Sequence, residues 1–204
     1  MASPLRLTVS LSVCLAAVAP AVAWQRYSKQ DADRFEAKIS RIVAFGEKRT
    51  TARAAATQST PITDAEINAY FEAGAKGQIP PGVVNPELNA LGDGRVSGQA
   101  VVDLDAVRKQ KKRGWLDPAA YLTGSLPVNA SGLLITKDGV GRFQLESAQV
   151  SGVSIPKSFL QELVSYYSRT PENPNGINMD DPFELPSRIR EIQVQRGQAT
   201  ILQQ

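Results

Sequence analysis

Histidine is absent from this chain of 204 residues, and cysteine occurs once, at Cys14. Without histidine, neither a Ser-His-Asp triad nor a Cys-His dyad can be assembled, and zinc sites lose one of their usual ligands. A disulfide within the chain needs two cysteines, so a folded domain here depends on an ordinary hydrophobic core. We therefore expect neither a metal nor another cofactor, and any catalysis would fall to carboxylates, lysine, tyrosine or serine.

The net charge of the chain is also small. The chain has 23 basic and 20 acidic side chains, a formal net charge of +3. A nucleic-acid-binding domain needs concentrated positive charge together with a recognisable reading motif, and we find no such motif. We therefore expect no nucleic-acid partner, and charge matters only where it is locally clustered.

The first 23 residues have the pattern of a secretory signal peptide. Arg6 precedes an apolar run from Leu7 to Ala19, and Ala21-Val22-Ala23 has the small residues of a cleavage site. A run of about 13 apolar residues is too short to cross a bilayer. We expect an exported protein, periplasmic or secreted, whose mature chain starts at Trp24 and no longer contains Cys14.

Residues 24–49 are predicted to form an N-terminal amphipathic helix. Its apolar residues recur at the spacing of one helical face: Phe35, Ile39, Ile42, Val43 and Phe45. Residues 50–61 contain no large apolar side chain, which favours a flexible linker. The sequence therefore predicts a helix on a tether that is dispensable for the fold of the remaining domain, residues 62–204.

Two further helices are predicted within residues 62–204. Thr63-Asp64-Ala65-Glu66 is a capping box, which predicts a helix ending near Gly74. The inward side chains of that helix are expected to be Ile67, Tyr70 and Phe71. Proline is favoured in the first turn of a helix, so Ile155-Pro156 predicts the start of the second.

The rest of this domain is predicted to be antiparallel sheet. Apolar and polar residues alternate from Gly98 to Ala106, which is typical of a half-buried strand. Three turns end in a glycine able to supply a positive φ: Asp93-Gly94, Asp138-Gly139 and Arg196-Gly197. The fold class is therefore α+β, an antiparallel meander of about six strands with two packed helices, preceded by the tethered helix.

Three short motifs, Asp93-Gly94-Arg95-Val96, Asp138-Gly139-Val140-Gly141 and Ile155-Pro156, follow one another in this order. The order resembles exported bacterial lipid-binding domains of the tubular lipid-binding (TULIP-like) and AsmA-related envelope families. The resemblance covers roughly residues 62–204. It implies a curved sheet that wraps a helix around an apolar groove, and it assigns no catalytic residue.

The helix after Ile155-Pro156 supplies the candidate ligand site. Its apolar side chains form a continuous face: Phe159, Leu160, Leu163, Val164 and Tyr167. Such a face either packs on the sheet as core or forms the wall of a groove for an apolar ligand.

The sharpest charged feature is a basic run at residues 108–113 that is followed by a tryptophan. Its members are Arg108, Lys109, Lys111, Lys112 and Arg113, with Trp115 beside them. Clustered cations next to an interfacial aromatic suit contact with an anionic membrane surface. The alternatives are a solvated loop with Trp115 in the core, or contact with a protein partner.

Three functions remain open on these patterns. Our leading hypothesis is an exported, non-enzymatic cell-envelope protein that binds an apolar or amphipathic ligand or a membrane surface. The alternative is a structural or assembly module that docks on another envelope protein through the N-terminal helix. A carboxylate-based hydrolase is the third, since Asp103 and Asp105 would share one face of the predicted strand, although solvated carboxylates are also expected there.

The signal-peptide prediction has a direct test. Because the cleavage site follows Ala21-Val22-Ala23, N-terminal sequencing of the exported protein should return Trp24-Gln25-Arg26. An exported species that still contains Cys14 would contradict this.

Overall fold

The computed structural model describes residues 27–48, 57–80, 82–106, 124–171 and 173–204. Within these ranges the chain is α+β, as the sequence predicts. The helices are α1 (Lys29–Glu47), α2 (Asp64–Glu72) and α3 (Lys157–Ser168). The strands are β1 (Gln58–Thr63), β2 (Val83–Gly92), β3 (Arg95–Asp103), β4 (Ser125–Lys137), β5 (Val140–Val150), β6 (Val153–Ser154), β7 (Phe183–Glu184), β8 (Ile189–Gln195) and β9 (Gln198–Gln203). The predicted signal peptide, the basic run and Trp115 lie outside the described residues.

The larger sheet is an antiparallel meander in the order β2-β3-β4-β5-β6, with β7 paired to the start of β5. Two of its hairpin turns are the predicted Asp-Gly pairs. Asp93 and Gly94 have φ of 51° and 78°, and Asp138 and Gly139 have φ of 49° and 83°. Two successive positive φ angles characterise the tight hairpin turn whose twist matches that of the strands, which explains the Asp-Gly sequence.

The smaller sheet has the order β1-β9-β8 and carries the main apolar core. Ile42 of α1 packs there against Ile189 and Ile201. Partly buried Ile62, Leu185 and Ile192 surround these three side chains. Strand β8 also meets the larger sheet, because Thr136 Oγ1 accepts from the Ile192 amide at 2.8 Å and donates to the Ile192 carbonyl at 3.0 Å.

The structure differs from the predicted linker and tethered helix. Gln58 to Pro61, assigned to the linker, belong to strand β1, and Thr60 is only 1 % exposed. Helix α1 buries Ala32, Phe35, Ile42 and Phe45 against the rest of the chain. Because Ile42 belongs to the main core, α1 packs in the folded body, and we expect its removal to destabilise the remaining domain.

Close backbone contact fixes the C-terminal end of α1. A Cβ added at Gly46 would lie 2.5 Å from the Cα of Ser187, so only glycine allows this approach. The buried Gln203 amide donates to the Ile42 carbonyl at 2.9 Å and to the Ser187 carbonyl at 2.6 Å. Gly46 lies inside α1 and brings the helix against the loop before β8.

Helix α2 begins with the predicted capping box, in which Thr63 and Glu66 each bond the other's backbone amide. Its buried residues are Glu66, Asn68 and Ala69. The side chains predicted to face inward are only half-buried: Ile67, Tyr70 and Phe71. The reason is that α2 lies along the edge of β2. The backbone N–H and C=O groups at that edge need hydrogen-bond partners, so α2 buries polar side chains there.

The core position of α1 can be tested with two isoleucines of the same helix. Ile42 is 5 % exposed and Ile39 is 38 % exposed. Ile42→Ala should lower the free energy of unfolding by about 2–5 kcal/mol, because it leaves a cavity in the main core. The matched variant Ile39→Ala should cost less than about 1 kcal/mol in the same urea titration. Equal losses in the two variants would mean that α1 does not contribute to this core.

Candidate functional site

The predicted ligand-binding face is on helix α3, and the structure leaves it incompletely covered. Phe159, Leu160, Leu163 and Val164 are all half-buried, and none of the described α3 side chains is buried. Tyr167 lies in the last turn, but its side chain is outside the described set. A helix that packed this face fully into a core would bury several of these side chains, so the apolar surface of α3 remains partly accessible.

A polar row on α3 holds the loop formed by residues 173–181. Gln161 Nε2 and Ser165 Oγ donate to the Ile177 carbonyl at 3.0 and 3.1 Å. The Ile177 amide donates to Ser168 Oγ at 2.7 Å, and the Met179 amide donates to Gln161 Oε1 at 2.7 Å. These three α3 residues recur at i, i+4 and i+7, so one helical face fixes the loop. The loop is therefore built against the helix.

An open cleft of about 580 Å³ lies between this loop and the larger sheet. Its apolar walls are Phe143, Ile177, Met179, Pro182 and Phe183, and α3 contributes Ser165. Ile177 is 55 % exposed and Phe183 is 44 % exposed, although both are large apolar side chains. Asparagine side chains and Asp181 line the cleft as well. An apolar surface with a few polar groups beside it is the usual composition of a small-molecule site.

Two glycines shape the floor of this cleft. A Cβ added at Gly141 would lie 2.5 Å from Phe183 Cε2, and a Cβ added at Gly132 would lie 2.5 Å from Phe143 Cζ. Both aromatic rings therefore lie directly on glycine backbone. Substituting either glycine would displace a ring that lines the cleft.

The cleft lies next to the predicted ligand-binding face of α3 but is not formed by that face. The side chains predicted on α3 do not line it, and α3 enters it through Ser165. Sequence reasoning missed Ile177, Met179 and Phe183 because they lie in an Asn- and Pro-rich loop and a two-residue strand, where no apolar periodicity exists. The sequence signal that could have indicated the cleft was the presence of large apolar residues within an otherwise polar loop.

A second cavity of about 440 Å³ lies between α2 and β2. It is lined by Tyr27, Asn68, Phe71, Val84 and Glu87 among others. Asn68 is already engaged, because its Oδ1 accepts from the Leu88 amide at 2.8 Å and its Nδ2 donates to the Leu88 carbonyl at 2.9 Å. This cavity has less exposed apolar surface than the α3 cleft, so the α3 cleft is the stronger candidate.

The carboxylates considered for catalysis have structural partners. Strand β3 ends at Asp103, whose Oδ1 accepts from the amides of Asp105 and Ala106 at 3.0 and 3.1 Å. The two aspartates therefore do not share a strand face, and that prediction is wrong. Within the described ranges, no group of three or more acidic side chains is placed to hold a metal ion.

Two carboxylates of α2 have shifted pKa values, each with a structural cause. Burial raises the pKa of Asp64, against the effect of the Ala90 amide, which donates to its carboxylate at 3.1 Å. Burial also works to raise the pKa of Glu66, but the Lys38 ammonium and the Thr63 amide hold that pKa below its usual range. Lys38 Nζ lies 2.7 Å from both carboxylate oxygens, and Arg34 Nε lies 3.5 Å from one. Both carboxylates therefore join elements of the fold.

Comparison of the chain with protein-family models, curated proteins and solved structures finds no match. The resemblance to tubular lipid-binding and AsmA-related domains therefore remains a prediction based on turn and helix motifs. In the part of the chain that the structure describes, no helix is long and apolar enough to cross a membrane.

The ion pair of Glu66 predicts how stability depends on pH. Its lowered folded-state pKa means that the ionised carboxylate stabilises the fold above the usual glutamate pKa of about 4.3, and that this contribution disappears as the pH falls through the folded-state value. Glu66→Gln should therefore lower the free energy of unfolding by about 1–3 kcal/mol at pH 7. The difference from the parent should shrink below about pH 4 in urea titrations.

The control for this experiment is Glu72→Gln, at an exposed position of the same helix outside the ion pair. Its stability should follow that of the parent across the pH range. A Glu66→Gln deficit that is the same at pH 3 and pH 7 would show that the Lys38 ion pair does not stabilise the fold.

Proposed function

We propose that the protein is an exported, non-enzymatic cell-envelope protein that binds an apolar or amphipathic ligand, or the surface of a membrane, at the cleft beside α3. The observation that carries the proposal is the cleft itself. Its volume of about 580 Å³ is within the range of about 300–1,000 Å³ that is usual for small-molecule sites.

The exposure of the apolar cleft residues supports a ligand. Leaving Ile177 and Phe183 about half exposed gives up much of the free energy that their burial would provide. The loop that carries Ile177 is nevertheless fixed by four hydrogen bonds to α3, which hold its apolar residues in an open position. An apolar chain in the cleft would recover that burial.

The polar lining suits the head of an amphipathic molecule. Asn173, Asn175 and Asn178 line the cleft with the apolar residues, and Asp181 adds a carboxylate. Asn178 Nδ2 already donates to Asp181 at 2.9 Å, and its Oδ1 accepts from the Asp180 amide at 3.1 Å. Asn173 and Asn175 therefore supply the donors and acceptors for a hydroxyl, ester or amide head group. The cleft therefore presents separate apolar and polar surfaces to one ligand.

The structure offers less support for docking through the N-terminal helix. Ile42 of α1 packs in the main core, and Phe35 lies 4.9 Å from Tyr70 between ring centroids. Ile39 and Val43 remain 38 % and 41 % exposed, so only this smaller part of the apolar face is left for a partner groove.

A pair of isoleucine variants tests the cleft. Ile177→Asp places a charge among the apolar walls, where ligand binding would remove it from water. Its affinity for cis-parinaric acid, a fluorescent fatty acid, should fall at least about tenfold. Ile135→Asp changes another exposed isoleucine, 42 % exposed in β4 and outside the cleft lining, and should bind like the parent. Mass spectrometry of an organic extract of the natively purified protein would identify the natural ligand.

Anionic phosphatidylglycerol vesicles separate a free ligand from a membrane surface. If the predicted basic run contacts the membrane, replacing Lys109, Lys111 and Lys112 together with Gln should weaken vesicle binding but leave parinaric acid binding unchanged. The ligand proposal would be wrong if the parent bound neither fatty acid nor vesicles, or if Ile177→Asp and Ile135→Asp bound alike.

A further inference from the structure

The larger sheet has a second surface of unusual composition on the face opposite the cleft. Strand register places two rows of polar side chains across β2, β3, β4 and β5. One row is Asn89, Ser97, Ser131 and Ser147, and the other is Glu87, Gln99, Asn129 and Gln149. Phe143, by contrast, pairs with Leu134 on the other face, so the cleft and these rows are on opposite sides of the sheet.

Seven of these eight neighbouring side chains are uncharged amides or hydroxyls. The one carboxylate, Glu87, accepts a hydrogen bond from the Gln99 amide. The rows contain no cation, so an anionic ligand would find no partner of opposite charge within them, which favours neutral hydrogen-bonding groups over anionic ones.

Much of the hydrogen-bonding capacity of the rows is unused by the protein. Ser131 Oγ and Ser147 Oγ are 2.8 Å apart and bond to each other. Among the described residues, no protein group bonds the side-chain amides of Asn89, Asn129 or Gln149. Each amide offers two donor hydrogens and an acceptor oxygen, so these three together present a dense set of both types.

All members of the rows except Glu87 line a shallow hollow of about 240 Å³, together with the small residues Gly98 and Ala130. Beside one row, register places the apolar Val84, Val101 and Pro127. Beyond the other row, Arg95 Nε and Glu146 Oε1 pair at 3.0 Å. The hollow therefore has a neutral polar floor with an apolar margin on one side.

We infer that this hollow binds a neutral carbohydrate chain. Sugar hydroxyls both donate and accept, which matches paired amides, and the C–H faces of sugar rings match the apolar margin of Val101 and Pro127. Adjacent strands are about 4.8 Å apart, so each row repeats its polar groups at a spacing close to one sugar unit. The absence of a cation within the rows disfavours phosphorylated or acidic sugars.

Calorimetric titration with three neutral hexasaccharides tests this inference: cellohexaose, maltohexaose and the hexamer of N-acetylglucosamine. At least one should bind the parent with a Kd of millimolar or better. Asn129→Leu should weaken that binding about tenfold, because it removes hydrogen bonds from the middle of the hollow. The matched control is Gln144→Leu, at an exposed amide opposite Leu133 on the same face but outside the hollow, which should bind like the parent.

Two further measurements make the result decisive. Urea unfolding of Asn129→Leu should match that of Gln144→Leu, which separates lost binding from lost folding. A sulfated heparin hexasaccharide should bind more weakly than the best neutral probe. The inference is overturned if none of the neutral probes binds at millimolar concentration, if the heparin probe binds equally well, or if the two leucine variants bind alike.

Discussion

Helix α2 joins several parts of this molecule through the hydrogen bonds of its polar side chains. Glu66 pairs with Lys38 of α1, the Asp64 carboxylate accepts from the Ala90 amide of β2, and the Asp64 amide donates to Gly197 between β8 and β9. Asn68 gives β2 the two hydrogen bonds that a neighbouring strand would provide. A helix of this length is only marginally stable alone, so α2 and its partners depend on one another.

Local chemistry made part of this fold predictable. The capping box at Thr63 and the turns at Gly94 and Gly139 depend on side chains or φ angles within three or four residues, and each was predicted correctly. Strand β1 was missed because its pairing is not local. Gln58 bonds Gln203 at a separation of 145 residues, and nothing in the polar sequence around Gln58 indicates that partner.

The two candidate surfaces were also only partly predictable, because they too depend on residues that are distant in the sequence. An apolar face on α3 was predictable from its spacing, but the cleft beside it depends on Ile177 and Phe183, which a polar loop and a short strand bring together. The alternation around Gln99 indicated a polar strand face. Only the register with Asn129 shows that four strands contribute neutral side chains to one hollow. The sequence of one strand shows which residues lie on each of its faces. Which residues lie beside them on neighbouring strands depends on how the strands pair.

One β-bulge affects both faces of the larger sheet. The β4–β5 register shifts between Ser131 and Gly132, two consecutive residues that face opposite sides. Gly132 lies under the Phe143 ring of the cleft, while Ser131 bonds Ser147 in the polar hollow. The shift leaves Glu146 without a paired residue in β4, and Glu146 instead pairs with Arg95 beyond the hollow. A regular ladder here would change the register on which the cleft, the polar rows and their charged boundary all depend, so both surfaces require the bulge.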